Sequence, residues 1–147
     1  MVDVEILSRK LSRLQSYVDE LKAASDITWE KFQSDLRSKA FVERYLHLAI
    51  EEVLDIANHI VSFKQWREPT GYRDLLLILA EKEILPENQL HVFQNMASFR
   101  NMLVHRYEMI DTNLVFGIFS KHLPDFDLYI SLISQWVQKD SISSEST

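Results

Sequence analysis

No cysteine occurs in the 147 residues, and there are only 2 glycines and 3 prolines. Without cysteine there is no disulfide, no thiolate nucleophile and no cysteine-rich zinc site. Two glycines are too few for the glycine-rich turn of a dinucleotide fold or a phosphate loop, and neither fingerprint is present. A sandwich of many short strands would need more turn residues. A basic excess is missing too. The 16 Lys+Arg stand against 22 Asp+Glu, a net charge of -6, so no global field attracts nucleic acid and any polyanion contact must be local. Long hydrophobic runs are also absent, since a stretch such as Leu75 to Ala80 is far short of a membrane span. The opening MVDVEILSRKL carries acids among its apolar residues and does not read as a signal peptide. The expectation is a cytoplasmic chain with no membrane contact.

What is present is helical periodicity. Val4, Leu7, Leu11, Leu14, Val18 and Leu21 recur at three and four residues, which predicts an amphipathic helix over Val4 to Ala23. A more polar stretch follows from Asp26 to Asp35, and the second helix is expected to begin within or just after it. From Phe41 to Phe63, Leu46, Ile50, Val53, Leu54, Ala57 and Ile60 share one broad face, with Arg44, His47, Glu51, Asp55 and Asn58 opposite. This long helix is the expected backbone of the fold. Arg67-Glu68-Pro69-Thr70-Gly71 breaks it, and a shorter helix covers Tyr72 to Glu83. Pro86 suits the first position of the next helix, which reaches about Tyr107. Asp111 is a reasonable cap for another, and Pro124 restarts the chain before a last segment over Phe126 to Val137. The expected architecture is all-α, an up-down bundle of four to six helices. Residues 1–140 form one domain, and 141–147 a short polar, frayed tail.

The informative segment is Leu90 to Tyr107. With Leu90 at the origin of a helical wheel, the apolar residues Phe93, Met96, Ala97, Phe99, Leu103 and Val104 span about 180° to 340°. Arg100 falls at about 280°, in the middle of them, and Tyr107 at about 260°, nearly in line with it. Asn101 and His105 lie one turn apart along the edge of that face. Arg106 points outward. Burying a guanidinium without partners costs several kcal/mol or more. Three explanations stand: a structural ion pair with a carboxylate of the long helix, a polar seam in a subunit interface, or a cleft where Arg100 meets an external anion. The stretch from Asn88 to Tyr107 contains no Asp or Glu, which favours the anion. Arg offers a charged planar fork that matches phosphate oxygens. His exchanges protons near neutrality. Asn can orient a neighbour, and Tyr adds a hydroxyl and a ring.

Arg100-Asn-Met-Leu-Val-His-Arg-Tyr107 resembles the R-x4-6-H signature of the HEPN superfamily. It is closest in form to the R-N-x-x-x-H-x-Y of HepT-like proteins, the toxin halves of MNT–HepT toxin–antitoxin systems. FVERYLHLAIEEVLDIANHIV resembles that family's long helix, and the order and spacing of the segments from Gly71 to the motif are similar. The resemblance implies a homodimer whose motif helices face each other across a cleft. It implies the toxin of a type VII-like system: a metal-independent endoribonuclease with Arg100 and His105 as the catalytic pair, and Asn101 at the site. Arg106 is a candidate for touching the RNA backbone at the cleft rim. A minimal nucleotidyltransferase antitoxin is the implied partner, silencing the site by adding AMP to Tyr107. The implied substrate is RNA, either transfer or messenger, with no cofactor and no metal. The alternative is a non-catalytic HEPN scaffold or substrate-recognition subunit for that nucleotidyltransferase.

Other candidates read as structural. Glu51, Glu52 and Asp55 sit at helical spacing but read as a solvated face rather than a divalent site. His47 and His59 read as surface or dimer-rim residues, and His91 as outward-facing. His122 sits near a helix end, where a cation suits the dipole. Trp29, Trp66 and Trp136 read as packing anchors, and Gly71 and Tyr72 as loop geometry.

Overall fold

A computed structural model describes residues 3–105 and 110–146, with side chains as far as 141. Every regular element among the described residues is helical: α1 (Val4–Ala23), α2 (Trp29–Ser34), α3 (Leu36–Phe63), α4 (Tyr72–Glu81), α5 (Leu90–His105), α6 (Thr112–Lys121) and α7 (Leu123–Ser146). The all-α expectation holds, with more helices than the four to six read from sequence. The surplus comes from the six-residue α2, which Thr28 caps by accepting from the Lys31 amide at 3.1 Å. The break at His122 that separates α6 from α7 falls close to the restart read at Pro124.

Helix ends follow side-chain chemistry. Asp3 accepts from the Ile6 amide at the start of α1, and Asp111 accepts from Asn113 and Leu114 at the start of α6. Pro124 stands in the first turn of α7, where its missing N–H costs nothing. Pro86 differs from expectation. It precedes a 3-10 turn over Glu87–Gln89, and α5 begins only at Leu90. The 141–146 backbone, read from sequence as a frayed tail, continues α7.

α3 ends at Phe63, ahead of the Pro-Gly loop. Gln65 turns left-handed at φ 53° and the Trp66 amide reaches back to the Val61 carbonyl at 3.1 Å. α4 closes the same way through Glu83 at φ 61° and Ile84. A chain poor in glycine thus uses larger residues at these positions, at a cost of about 1 kcal/mol or more each. Gly71, by contrast, is extended at φ 174° and a Cβ there would meet nothing within 4 Å.

α3 is the axis of the bundle, with Val42, Leu46, Ala49, Val53, Ile56, Ala57 and Ile60 buried. α1 packs along it through Leu7, Leu14, Val18 and Leu21. α7 lies against α1 and α6. The fully buried Tyr129 donates from its hydroxyl to the Val53 carbonyl at 2.8 Å, and burial pushes its own ionisation well up. Lys22–Asp127 and Lys64–Asp140 pairs, each 2.7 Å, fasten α7 to α1 and to the end of α3. The tryptophans are anchors as expected: Trp29 stacks on Phe32 and meets Phe116, and Trp66 meets Trp136 at 6.1 Å. Among the described residues no helix is long and apolar enough to cross a membrane.

Candidate active site

The side chains around Arg100 come from three helices. α5 supplies Arg100, Asn101 and His105, α3 supplies Glu51 and His47, and α4 opens with Tyr72. α4 is locked against α5 before it reaches the site. Arg73 Nη1 donates to the Gln94 carbonyl at 3.1 Å and to Ser98 Oγ at 2.8 Å, while Gln94 Nε2 returns a bond to the Arg73 carbonyl at 3.0 Å. α5 itself buries Phe93, Ala97, Phe99 and Leu103. Val104, expected within the apolar stripe, is 40% exposed.

Arg100 Nε donates to Glu51 Oε1 at 2.6 Å. Its guanidinium carbon lies 4.9 Å from the centre of the Tyr72 ring, a cation–π contact. Nη1 makes a longer bond of 3.3 Å to Asn101 Oδ1. His47 Nε2 meets the same Glu51 oxygen at 3.1 Å. Burial pushes the Glu51 carboxyl up, but hydrogen bonds from Arg100 and His47 outweigh it and hold the group below the usual carboxylate range.

The carboxylate partner from the long helix is therefore real, but the pair is not sealed. The Arg100 side chain is 16% exposed and that of Glu51 39%. Glu51 takes the Nε edge of the guanidinium and Tyr72 takes one face. The terminal nitrogens keep only the long Asn101 contact among the described residues. Asn101 and His105 are both exposed, with His105 about 7.5 Å along the axis from Arg100 and about 140° around it. Arg106 and Tyr107 lie outside the described residues.

Three readings from sequence change here. His47 is a partner of Glu51 rather than a plain surface residue. Tyr72 is the platform under Arg100 rather than loop geometry alone. Glu52, placed on a solvated face, is 6% exposed, because α1 packs over that side of α3. Glu51 and His47, four residues apart, carried a legible signal as an i,i+4 pair of opposite potential charge. Nothing in the sequence marked Tyr72.

On the other flank of α5 lies a groove of about 610 Å³, lined by Ile50, Val92, Met96, Phe99, Met102 and Leu114. Leu114 is 45% exposed there.

The model of the family described as "Ribonuclease HepT-like" matches residues 11–133, a span that contains Glu51, Tyr72 and the motif through Tyr107. The chain belongs to the HepT-like ribonuclease family, within the HEPN superfamily. It is similar to the tRNA nuclease HepT of Aphanizomenon flos-aquae, 29% identical over 140 residues that span 93% of this chain and 95% of that one. It is similar also to the mRNA nuclease HepT of Shewanella oneidensis, 29% identical over 103 residues, 70% of this chain and 77% of the other. Among solved structures, a tri-AMPylated Shewanella oneidensis HEPN toxin in complex with MNT antitoxin superposes with a TM-score of 0.81 at 25% identity, covering 92% of this chain and 99% of that one. The cytosolic protein YutE of Bacillus subtilis shares the fold, with a TM-score of 0.81 at 19% identity over 95% of this chain and 93% of that one.

Proposed function

We propose that this HepT-like chain is a toxin endoribonuclease that cleaves RNA without a metal, with Arg100 and His105 as the catalytic pair. The observation that carries the reading is the state of the Arg100 fork. It is aimed by Glu51 and Tyr72 and holds only a long Asn101 contact at its terminal nitrogens, with an exposed His105 later on the same helix.

RNA brings its own nucleophile. The 2′-OH attacks the adjacent phosphorus, the 5′-oxygen of the next nucleotide leaves, and a 2′,3′-cyclic phosphate remains. Negative charge grows on the non-bridging oxygens, where a preorganised guanidinium stabilises the transition state more than the ground state. One proton must leave the 2′-OH and another must reach the 5′-oxygen. His105 serves one of these steps, and in a homodimer its counterpart across the cleft serves the other. What supports a dimer through the motif helix is apolar surface on its flanks. Val104 and Leu114 are exposed, and the groove between α5 and α6 is largely apolar. A symmetric interface here would bury about 1,200 Å² or more.

Transfer and messenger RNA are the two substrate classes that the relatives' names support. A minimal nucleotidyltransferase is the proposed antitoxin, adding AMP to Tyr107. The AMP groups on the Shewanella toxin support that chemistry. Each added phosphate would bring negative charge to the end of the motif and compete for the guanidinium.

Incubation with transfer and messenger RNA in chelator should give fragments ending in cyclic or 3′-phosphate. Arg100→Ala and His105→Ala should each slow cleavage by roughly a hundredfold or more. Wild-type chain that is inert on both classes would replace this reading with that of a scaffold for the nucleotidyltransferase. Coexpression with that enzyme should add AMP mass, lost in Tyr107→Phe. A chain neutralised without any added mass would instead make complex formation the means of silencing.

A further inference from the structure

Most described arginines are engaged. Arg9 pairs with Glu5 and Arg13 with Glu52, Arg67 holds Asp74 and Glu81, Arg73 holds Ser98, and Arg100 holds Glu51. Arg37 and Arg44 are the exceptions: both are exposed, and neither guanidinium has a hydrogen-bond or carboxylate partner among the described residues. In a chain of net charge -6, two unpaired guanidinium groups have carboxylates in abundance to choose from, and use none.

Their positions on α3 are not scattered. Taking Glu51 as reference, Arg44 lies about 20° around the helix and Arg37 about 40°, at about 10.5 Å and 21 Å toward the N-terminus. Both therefore stand on the strip of α3 that ends at the Glu51–Arg100 pair, with His47 between Arg44 and Glu51. The acidic residues along this strip are already occupied: Glu51 by Arg100 and His47, and Asp55 by Lys10. Glu43 lies about 80° off it. Beside the two arginines, Phe41 and Tyr45 stack at 4.6 Å with planes 30° apart, and Tyr17 meets Tyr45 edge-on at 6.1 Å. Both rings of the stacked pair are only half-buried.

Cations spaced along a line, with aromatic faces alongside, are what a single-stranded nucleic acid uses: phosphates on the charges, unstacked bases on the rings. We propose that the Arg37–Arg44 strip of α3, with Phe41 and Tyr45, is a substrate track that holds single-stranded RNA flanking the bond cut at Arg100. It supplies affinity and direction to a chain whose overall charge repels RNA. This rests on the ribonuclease reading above, and its test separates the two.

The full chain carrying His105→Ala, which binds without cutting, is titrated against fluorescein-labelled single-stranded RNA across a salt series. Adding Arg37→Gln and Arg44→Gln together should weaken binding about tenfold or more and lower the salt slope by about 1.4, since each single-strand phosphate contact contributes about 0.7. Arg9→Gln, which removes an exposed arginine of α1 already paired with Glu5, should leave both unchanged. In the wild-type chain, irradiation with 4-thiouridine RNA should crosslink the peptide containing Phe41 and Tyr45. If the His105→Ala chain binds no RNA at all, this proposal falls together with the ribonuclease reading. If it binds, and the double variant keeps its affinity and slope, only the track falls. Loss of nucleotidyltransferase binding by the double variant, with RNA binding intact, would likewise overturn it and assign the strip to that protein partner.

Discussion

Arg67 and Arg100 both sit against α4, one at each side of its first turn, and they differ in what they leave open. Arg67 uses its whole fork. Nη1 and Nη2 grip the two Asp74 oxygens at 2.8 and 2.9 Å, and Nε meets Glu81 at 3.0 Å. Those bonds hold Asp74 well below the usual carboxylate range and raise Arg67 further above its own. Asp74 also takes the Thr70 amide at 2.9 Å, so the network fixes the loop that delivers Tyr72. Arg100 is the less exposed of the two, 16% against 44% for the side chains, yet gives up only Nε to a carboxylate. A saturated guanidinium has no capacity for a ligand. A half-used one, steered from the side and backed by a ring, is prepared for an anion.

The same substitution at both positions would break this contrast most directly. Lysine keeps the charge but not the planar fork. Arg100→Lys should lower RNA cleavage roughly a hundredfold, because a point charge cannot satisfy Glu51 and the phosphate together. Arg67→Lys should leave cleavage within a few-fold of wild type and lower Tm by a few degrees. Equal losses of activity at both sites would mean that the loop network, not the open fork, is what cleavage depends on.

Glu51→Gln sharpens the comparison. The amide keeps the shape and still accepts from Nε, but it loses the charge that draws Arg100 and His47 to one oxygen. Cleavage should fall about tenfold through misplacement of the guanidinium. The pH dependence has a defined sign. The Glu51 carboxyl is depressed in the folded chain, so its contribution is complete above the ordinary carboxylate range and is lost as pH falls through the folded value. Wild type should therefore lose stability on acidification more steeply than Glu51→Gln, measured as Tm against pH. Parallel curves would show that the pair contributes nothing to folding.

How much of this was legible in the sequence depends on distance along the chain. α1 has the bounds its three-and-four spacing predicts. α3 starts at Leu36, just after the polar stretch that ends at Asp35, and its first turn was the less legible part because Leu36 is 79% exposed and no apolar face shows before Phe41. Arg100, Asn101 and His105 stood out because they lie within one helix and interrupt its pattern. The role of Tyr72 did not, since a ring 28 positions from its cation has no local signature. Glu51 was visible only through its spacing from His47, as one of several acids on a helix. The bond to Arg100 spans 49 residues, and only packing selects Glu51 over Glu52.

That selection gives the smallest predicted effect. Glu51 and Glu52 are adjacent, but Glu52 is turned into the α1–α3 seam. Its Oε1 is buried with no partner among the described residues, and Oε2 reaches Arg13 only at 3.5 Å. Burial pushes its carboxyl up, more than Arg13 draws it down, and Asp55 adds to the rise. The folded chain thus binds its proton more tightly than the unfolded chain. Stability associated with Glu52 is present below the unfolded value and falls as pH rises through the folded one. At neutral pH the ionised group is a net cost, and the long, half-exposed pair with Arg13 offsets little of it. Glu52→Gln removes the charge at nearly constant volume. It should raise Tm by about 2–4 °C at pH 7 to 8, a gain of about 1 kcal/mol for a domain of this size. The gain should vanish near pH 4, where Glu52 is already protonated, and cleavage should be unchanged at every pH. A Tm that drops at all pH values would make Arg13 the stronger influence, and the seam would then be held by its ion pair.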